Sequence, residues 1–235
     1  MFVHYRTLGF VIKKEDRGEA DQVFTILTKD FGKLKIRGRA IRKLKSKLRA
    51  GAQLFSLSEI EFIRGKAHKT LTDTILVDKF TNIRKDLEKL ETASKVAEVL
   101  DSLVKGEEAD EEIWKLVLET FRRLDKSSLP CFLIYHYFFW NFLSALGYMP
   151  ELKNCPLCRK KLTPTNIYFS PGQGGVVCDD CLKEKGKKID PEIVKILRLL
   201  IKQDWGILSK LKIKPDYEEE LEKVSEDYLS YFSDI

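Results

Sequence analysis

From Met1 to Phe80 apolar and polar positions alternate with a period near two, in stretches at 2–13, 22–29, 33–40, 53–63 and 70–79. Turn-forming residues separate most of these stretches. The alternation is sharpest at Lys33-Leu34-Lys35-Ile36-Arg37-Gly38-Arg39-Ala40. A strand's two-residue repeat there places four cations on one face and Leu34, Ile36, Gly38 and Ala40 on the other, so the second face is expected to point into a core. Asp30-Phe31-Gly32 supplies the hairpin turn before it, with glycine free to take positive φ. About five short strands before Thr81 predict a small closed barrel.

From Asn82 the period changes to that of a helix, with Ile83, Leu87, Leu90, Ala97 and Leu100 along one face and Thr81 or Asn82 available as a cap. Ile113, Trp114, Val117, Phe121 and Leu124 predict a second helix, preceded by acidic residues over Glu107–Glu112 that suit a helix amino terminus. The third, over Cys131–Leu146, is apolar and aromatic all round, within a span from 127 to 150 that carries no formal charge. His136, Asn141 and Ser144 interrupt it and Pro130 and Pro150 bracket it, which favours a buried central helix over a membrane span. Beyond a basic link at Lys183–Lys188, Asp190-Pro191 reads as a cap with proline at the first helical position. A helix is expected from there to about Gln203, with Leu197, Leu200 and Ile201 apolar. A final acidic helix from Asp216 carries Leu221, Val224, Tyr228 and Tyr231. The predicted class is α+β: a barrel over 1–80, a helical domain over 81–150 and 189–235, and a module at 151–188 inserted into it.

Charge sharpens this picture. The net charge is +6, but residues 1–80 hold 18 Lys+Arg against 9 Asp+Glu, while the remainder hold 24 against 27. Lys33, Lys35, Arg37, Arg39, Arg42, Lys43, Lys45, Lys47 and Arg49 follow one another without an acid between them. So one-sided a stretch points to a phosphate backbone, with arginines forking onto oxygens and lysines acting as point charges. The plainer alternative is a solvated basic surface. Tyr5, Phe10, Phe24 and Phe31 are available as stacking platforms, although most aromatics in so small a barrel belong to its core.

Cys155, Cys158, Cys178 and Cys181 form two well-separated Cys-x-x-Cys pairs. Two such knuckles supply four thiolates for a closed tetrahedral Zn2+ site, structural because no position is left for substrate. Disulfides would need an oxidising compartment, and a thioredoxin-like pair does not explain its twin. Cys131, among apolar neighbours, reads as a small core residue. Met1–Ile12 lacks the features of a signal peptide, so a cytoplasmic protein is expected. Gly172-Gln173-Gly174-Gly175 lacks the lysine of a phosphate loop, and His4, His68 and His136 are widely spaced. Glu15, Asp16, Glu19 and Asp21, interleaved with Lys13, Lys14 and Arg17, read as a charged loop at a strand turn. No enzymatic activity is expected.

The order of parts resembles the bacterial recombination mediator family RecO. The early signature is Gly18-Glu19-Ala20-Asp21, Leu27-Thr28, Phe31-Gly32-Lys33, the basic stretch from Arg37-Gly38-Arg39 to Ser46-Lys47, and Gln53-Leu54-Phe55. The later one is Phe142–Pro150 ahead of Cys155-Pro156-Leu157-Cys158, then Phe169-Ser170-Pro171, Gly174-Gly175 and Cys178-Asp179-Asp180-Cys181. The resemblance spans the chain. It implies an amino-terminal oligonucleotide-binding barrel (OB-fold) and a helical carboxy-terminal domain with an embedded zinc module. It further implies a non-enzymatic protein that binds single- and double-stranded DNA and anneals complementary strands. With RecR, such a protein helps load RecA onto DNA coated by single-strand binding protein (SSB), at the nucleoid during repair. Some members dock the acidic tail of SSB on the helical domain, and some lack the zinc cysteines. Rival classes are a zinc-containing nuclease, for which no carboxylate cluster is evident, and an adaptor whose basic face binds an acidic protein.

Overall fold

In a computed structural model describing residues 3–182 and 186–233, the alternating stretches are strands β1 (His4–Arg17), β2 (Asp21–Thr28), β3 (Gly32–Gly38), β4 (Leu57–Arg64) and β5 (Lys69–Asp78). They close a barrel in the order β1-β2-β3-β5-β4, antiparallel except for β3 and β5. This is the Greek-key order of an oligonucleotide-binding barrel. The pleat does what the period predicts: Leu34 and Ile36 are fully buried with Phe24, Ile26, Ile60 and Phe62. Gly32 takes φ 62° at the β2–β3 turn.

Three boundaries differ from the sequence expectation. Lys13–Arg17 is not a loop but continues β1, paired in register with Asp21–Thr25 as an exposed ribbon. Its ladder is satisfied by the partner strand, so it needs no apolar face. Residues 53–56 are not extended, because Phe55 turns inward at φ 56°, and β4 starts at Leu57. Ala40 is not part of the inner face of β3; it lies beyond the strand at φ 52°.

Met1–Ser128 forms one compact unit, in which the barrel is joined by α1 (Leu87–Leu103) and α2 (Glu111–Lys126). A corner at Asp86 separates Ile83 from α1, and Asp86, rather than Thr81 or Asn82, caps the helix. The buried stripe is therefore Ala93, Val96, Ala97 and Leu100, and Leu87 is exposed. On α2 the five predicted positions are all buried, and Asp110 is the cap. Phe121 of α2 meets Phe10, Phe55 and Phe80 with ring centroids 4.2–5.9 Å apart. The buried Asp125 accepts the amide of Asn82, fixing the chain where it leaves the barrel.

Leu129–Ile235 forms the second unit, around α3 (Cys131–Ala145). Among the described residues no helix is long and apolar enough to cross a membrane. α3 is instead buried by α4 (Pro191–Leu200), the short α5 (Trp205–Leu208) and α6 (Pro215–Ser233). Trp140 packs against Tyr228 and Phe169, Tyr137 against Trp205, and the Asn141 amide donates to Leu200 O. His136, fully buried, contacts Glu222 Oε2 through Nε2 at 2.9 Å and Ser225 Oγ through Nδ1 at 3.1 Å, clamping α3 to α6. Asp190 and Pro191 start α4 as predicted. The apolar pattern gives no sign of α5, and Tyr231 of α6 is exposed rather than on the apolar face. A three-stranded sheet, β6 (Ile167–Ser170), β7 (Gly175–Cys178) and β8 (Lys187–Lys188), carries the cysteine module. Of the link read at Lys183–Lys188, residues 183–185 lie outside the described residues.

On the outer barrel face Glu61 accepts hydrogen bonds from His4, Arg6 and Thr72, which hold its carboxyl down at about 2. A carboxyl whose folded pKa lies below its ordinary value of 4.5 stabilises the fold above that pH and loses the contribution as pH falls toward about 2. Thermal melting of wild type between these limits is expected to show a steeper pH dependence than Glu61→Gln; identical slopes would contradict the assignment.

Candidate nucleic-acid interface and metal centre

The nine cations of the basic stretch fall into two groups with different tasks. Lys33 and Arg37 are half-buried on β3. Lys33 Nζ donates to Asp101 O at 2.5 Å and lies 3.4 Å from its carboxylate, tying β3 to α1. Arg37 donates through Nε and Nη2 to Asp21 Oδ2 at 2.9 and 2.5 Å, while Asp21 Oδ1 accepts the Ala40 amide at 2.7 Å. The Ala40 amide first, and then the Arg37 guanidinium, holds the Asp21 carboxyl below its usual range. That carboxylate fixes the corner at which the chain leaves the barrel. Arg42 Nη1 is shared between Asp16 Oδ2 and Gly18 O, both at 3.3 Å.

The other six, Lys35, Arg39, Lys43, Lys45, Lys47 and Arg49, are exposed and form no ion pair among the described residues. The segment beyond β3 is irregular but held: Arg42 N donates to Ala20 O and Ser46 N to Lys43 O, and a single 3-10 turn follows at Lys47–Arg49. Ile41, buried, and Leu48, partly buried, pack on the barrel core from either side of it. The cations between them therefore project from a turn pinned at both feet.

Of the aromatics considered as stacking platforms, Phe10 and Phe24 are core residues. Tyr5 and Phe31 are partly buried against Phe62, with centroids 5.4 and 5.7 Å away, and the Arg64 guanidinium lies 5.1 Å from the Tyr5 ring. Asp21 and Asp101, which sequence alone does not single out as partners of this stretch, decide which cations are committed. Asp101 is 68 residues from Lys33, and only the packing of α1 brings it there.

In the second unit the first knuckle is a tight turn: Arg159 N donates to Cys155 O, and Cys155 N donates to Lys160 O, each at 2.8 Å. Arg159 takes φ 63°. The second knuckle begins at Cys178, the last residue of β7, and turns through Asp179–Cys181. The two are brought together by the backbone at Glu151, which bonds Gly174 O and the Val176 amide. Gly175, at φ 152°, permits this approach, since a Cβ there would stand 2.2 Å from Glu151 O.

The four Sγ atoms lie within 4.8 Å of one another, with Cys158 and Cys178 at 3.7 Å. A tetrahedral ion with Zn–S bonds of about 2.3 Å requires S···S separations of about 3.8 Å, so the donor set fits one metal ion. Burial pushes the Cys155 thiol up, but amides of Cys158, Cys178 and Leu157 outweigh it and bring it down to about 6; Cys158 and Cys178 push Cys181 up to about 12. Among the described residues no other group of His, Cys, Asp and Glu could hold a metal, the acids at positions 15–21 included. Cys131 is buried, as expected. His4 is engaged with Glu61 and His136 with Glu222; Gly172–Gly174 lies on the turn joining β6 to β7, and Gly175 begins β7.

A closed five-stranded barrel with a cationic exit turn, followed in the same chain by a helical unit bearing a four-thiol centre, defines a class of two-part, metal-site protein. Residues 1–80 match the family described as Recombination protein O N terminal, and residues 84–232 match Recombination protein O C terminal. The protein named DNA repair protein RecO from Dehalococcoides mccartyi is 36% identical over 219 residues, covering 93% of this chain and 86% of that one. Proteins of the same name from a Roseiflexus species and from Moorella thermoacetica are 32% and 30% identical, covering 97% and 98% of this chain and 80% and 86% of their own. The chain belongs to the RecO family of DNA repair proteins, and its role is in recombinational repair.

Metal analysis of the purified protein is expected to find about one ion per chain, lost in Cys155→Ala and in Cys178→Ala together with a lower melting temperature. Unchanged metal content in both variants would contradict the centre.

Proposed function

We propose that this chain is a non-enzymatic recombination mediator that binds single- and double-stranded DNA through the barrel's basic exit and anneals complementary strands. With RecR it would help load RecA onto single-stranded DNA covered by SSB, in the cytoplasm and at the nucleoid during repair. The observation that carries the reading is the group of six exposed cations between Lys35 and Arg49, without ion-pair partners among the described residues. A merely solubilising surface gains nothing from concentrating them along the outer face of β3 and the pinned turn beyond it, whereas binding to phosphates spaced along a strand does. Each contact releases condensed counterions, and bringing two neutralised strands to one surface lowers their mutual repulsion without reading sequence. Arg37, Lys33 and Arg42 take the supporting role of holding that surface in place. In the second unit the four-thiol centre is assigned to a structural Zn2+, held by Cys155, Cys158, Cys178 and Cys181, because thiolates select it and a closed site leaves no position for chemistry. The helical residues supply docking surfaces for protein partners, the acidic tail of SSB among them.

With about 0.7 per phosphate contact on single strands, six contacts give a log-log salt slope of about −4. Fluorescence anisotropy of a labelled oligonucleotide is expected to show that slope for wild type, shallower by about 2 in the triple variant Lys43→Glu, Lys45→Glu, Lys47→Glu. Arg37 is left intact so that the corner survives. An unchanged slope in a folded, metal-bound triple variant would move the basic face to an acidic protein partner.

A further inference from the structure

The same turn carries a residue that charge does not explain. Leu44 is 91% exposed, more than any other large hydrophobic side chain described. It follows Lys43 and precedes Lys45, in the middle of the turn closed by the Ser46 amide on Lys43 O at 3.0 Å. Arg42, Lys43, Lys45 and Lys47 are all exposed around it. On both sides of this tip the chain is anchored in the barrel core, through Ile41 and Leu48. Leu44 is thus neither on a loose tail nor shielded by its neighbours. It is held out into solvent on a short support, with exposed cations on either side of it in the chain.

Single exposed apolar residues are ordinary on protein surfaces. Here, however, the surroundings select the partner. An apolar protein pocket would have to accept four neighbouring cations, and a phosphate backbone alone would offer the leucine nothing. A polyanion with an apolar interior satisfies both, and unstacked or partly stacked bases behind a row of phosphates are such an interior. Leucine is among the side chains that enter between base steps where flanking cations hold the backbone.

We propose that Leu44 is a wedge that inserts between bases where the surrounding lysines hold the phosphates, and that it acts at the junction of single- and double-stranded DNA. This rests on the DNA-binding reading of the basic turn. By occupying the step beside the last paired base, the side chain keeps the adjoining unpaired bases splayed and accessible to a complementary strand. The cations set affinity, and the leucine sets the state of the bases.

The test uses full-length protein and a junction substrate with 2-aminopurine at the first unpaired position. Wild type is expected to raise its fluorescence by unstacking it. Leu44→Ala should keep the salt slope of wild type, lose that rise, and anneal complementary strands about tenfold more slowly, the equivalent of about 1.4 kcal/mol. Leu44→Trp should keep the rise, with its added emission, over that of the three native tryptophans, quenched by DNA. If Leu44→Ala binds, unstacks and anneals as wild type does, the wedge is overturned and the DNA reading stands. If wild type does not bind the junction, both fall together. If the added emission of Leu44→Trp shifts to the blue with phosphatidylglycerol vesicles and is indifferent to DNA, the tip is a membrane contact and the proposal fails.

Discussion

The chain's departure from the barrel at Gly38 depends on one carboxylate. Asp21, at the start of β2, accepts from Arg37 on the neighbouring strand and from the Ala40 amide just beyond it. This converts the end of a strand into a turn of defined direction, with Ala40 in the left-handed region. The residues that follow would otherwise be a lysine-rich segment with few apolar contacts and strong self-repulsion. Instead they are aimed, and Ile41 and Leu48 return them to the core. An ion pair with modest exposure on both sides is a geometric device here more than a source of stability.

The same stretch of sequence thereby serves structure and recognition at once. Alternation along β3 puts Leu34 and Ile36 inside and all its cations outside, yet the outer face is itself divided. Lys33 and Arg37, nearest to Asp101 and Asp21, are consumed by folding, while Lys35 and Arg39 remain exposed. Charge density counted along the chain overstates what a ligand meets.

Much of this is legible in the residues. The period of β3, the apolar stripe of α2, the Asp190-Pro191 start of α4 and the spacing of the four cysteines each express a local rule, and local rules survive folding. What is not legible depends on distant partners or on changes of direction. The buried stripe of α1 differs from the periodic one because the corner at Asp86 breaks the phase between Ile83 and the helix. The exposed ribbon at Lys13–Arg17 has the composition of a loop, since cross-strand pairing, not burial, sustains it. The commitments of Lys33 and Arg37 follow from carboxylates 68 and 16 residues away. In the second unit, Glu151 and Gly175 bring two knuckles together by a backbone approach that no cysteine pattern reveals.

The central claim is that the exposed cations of β3 and the barrel's exit turn that form no ion pair among the described residues contact DNA, while the paired ones hold the turn in place. Lysine acylation footprinting by mass spectrometry, with and without a single-stranded oligonucleotide, tests it residue by residue. The account predicts that Lys35, Lys43, Lys45 and Lys47 react freely alone and are protected by DNA, while Lys33 reacts poorly in both conditions. Protection confined to lysines of the second unit, or a reactive Lys33 that DNA protects as strongly as Lys45, would contradict it.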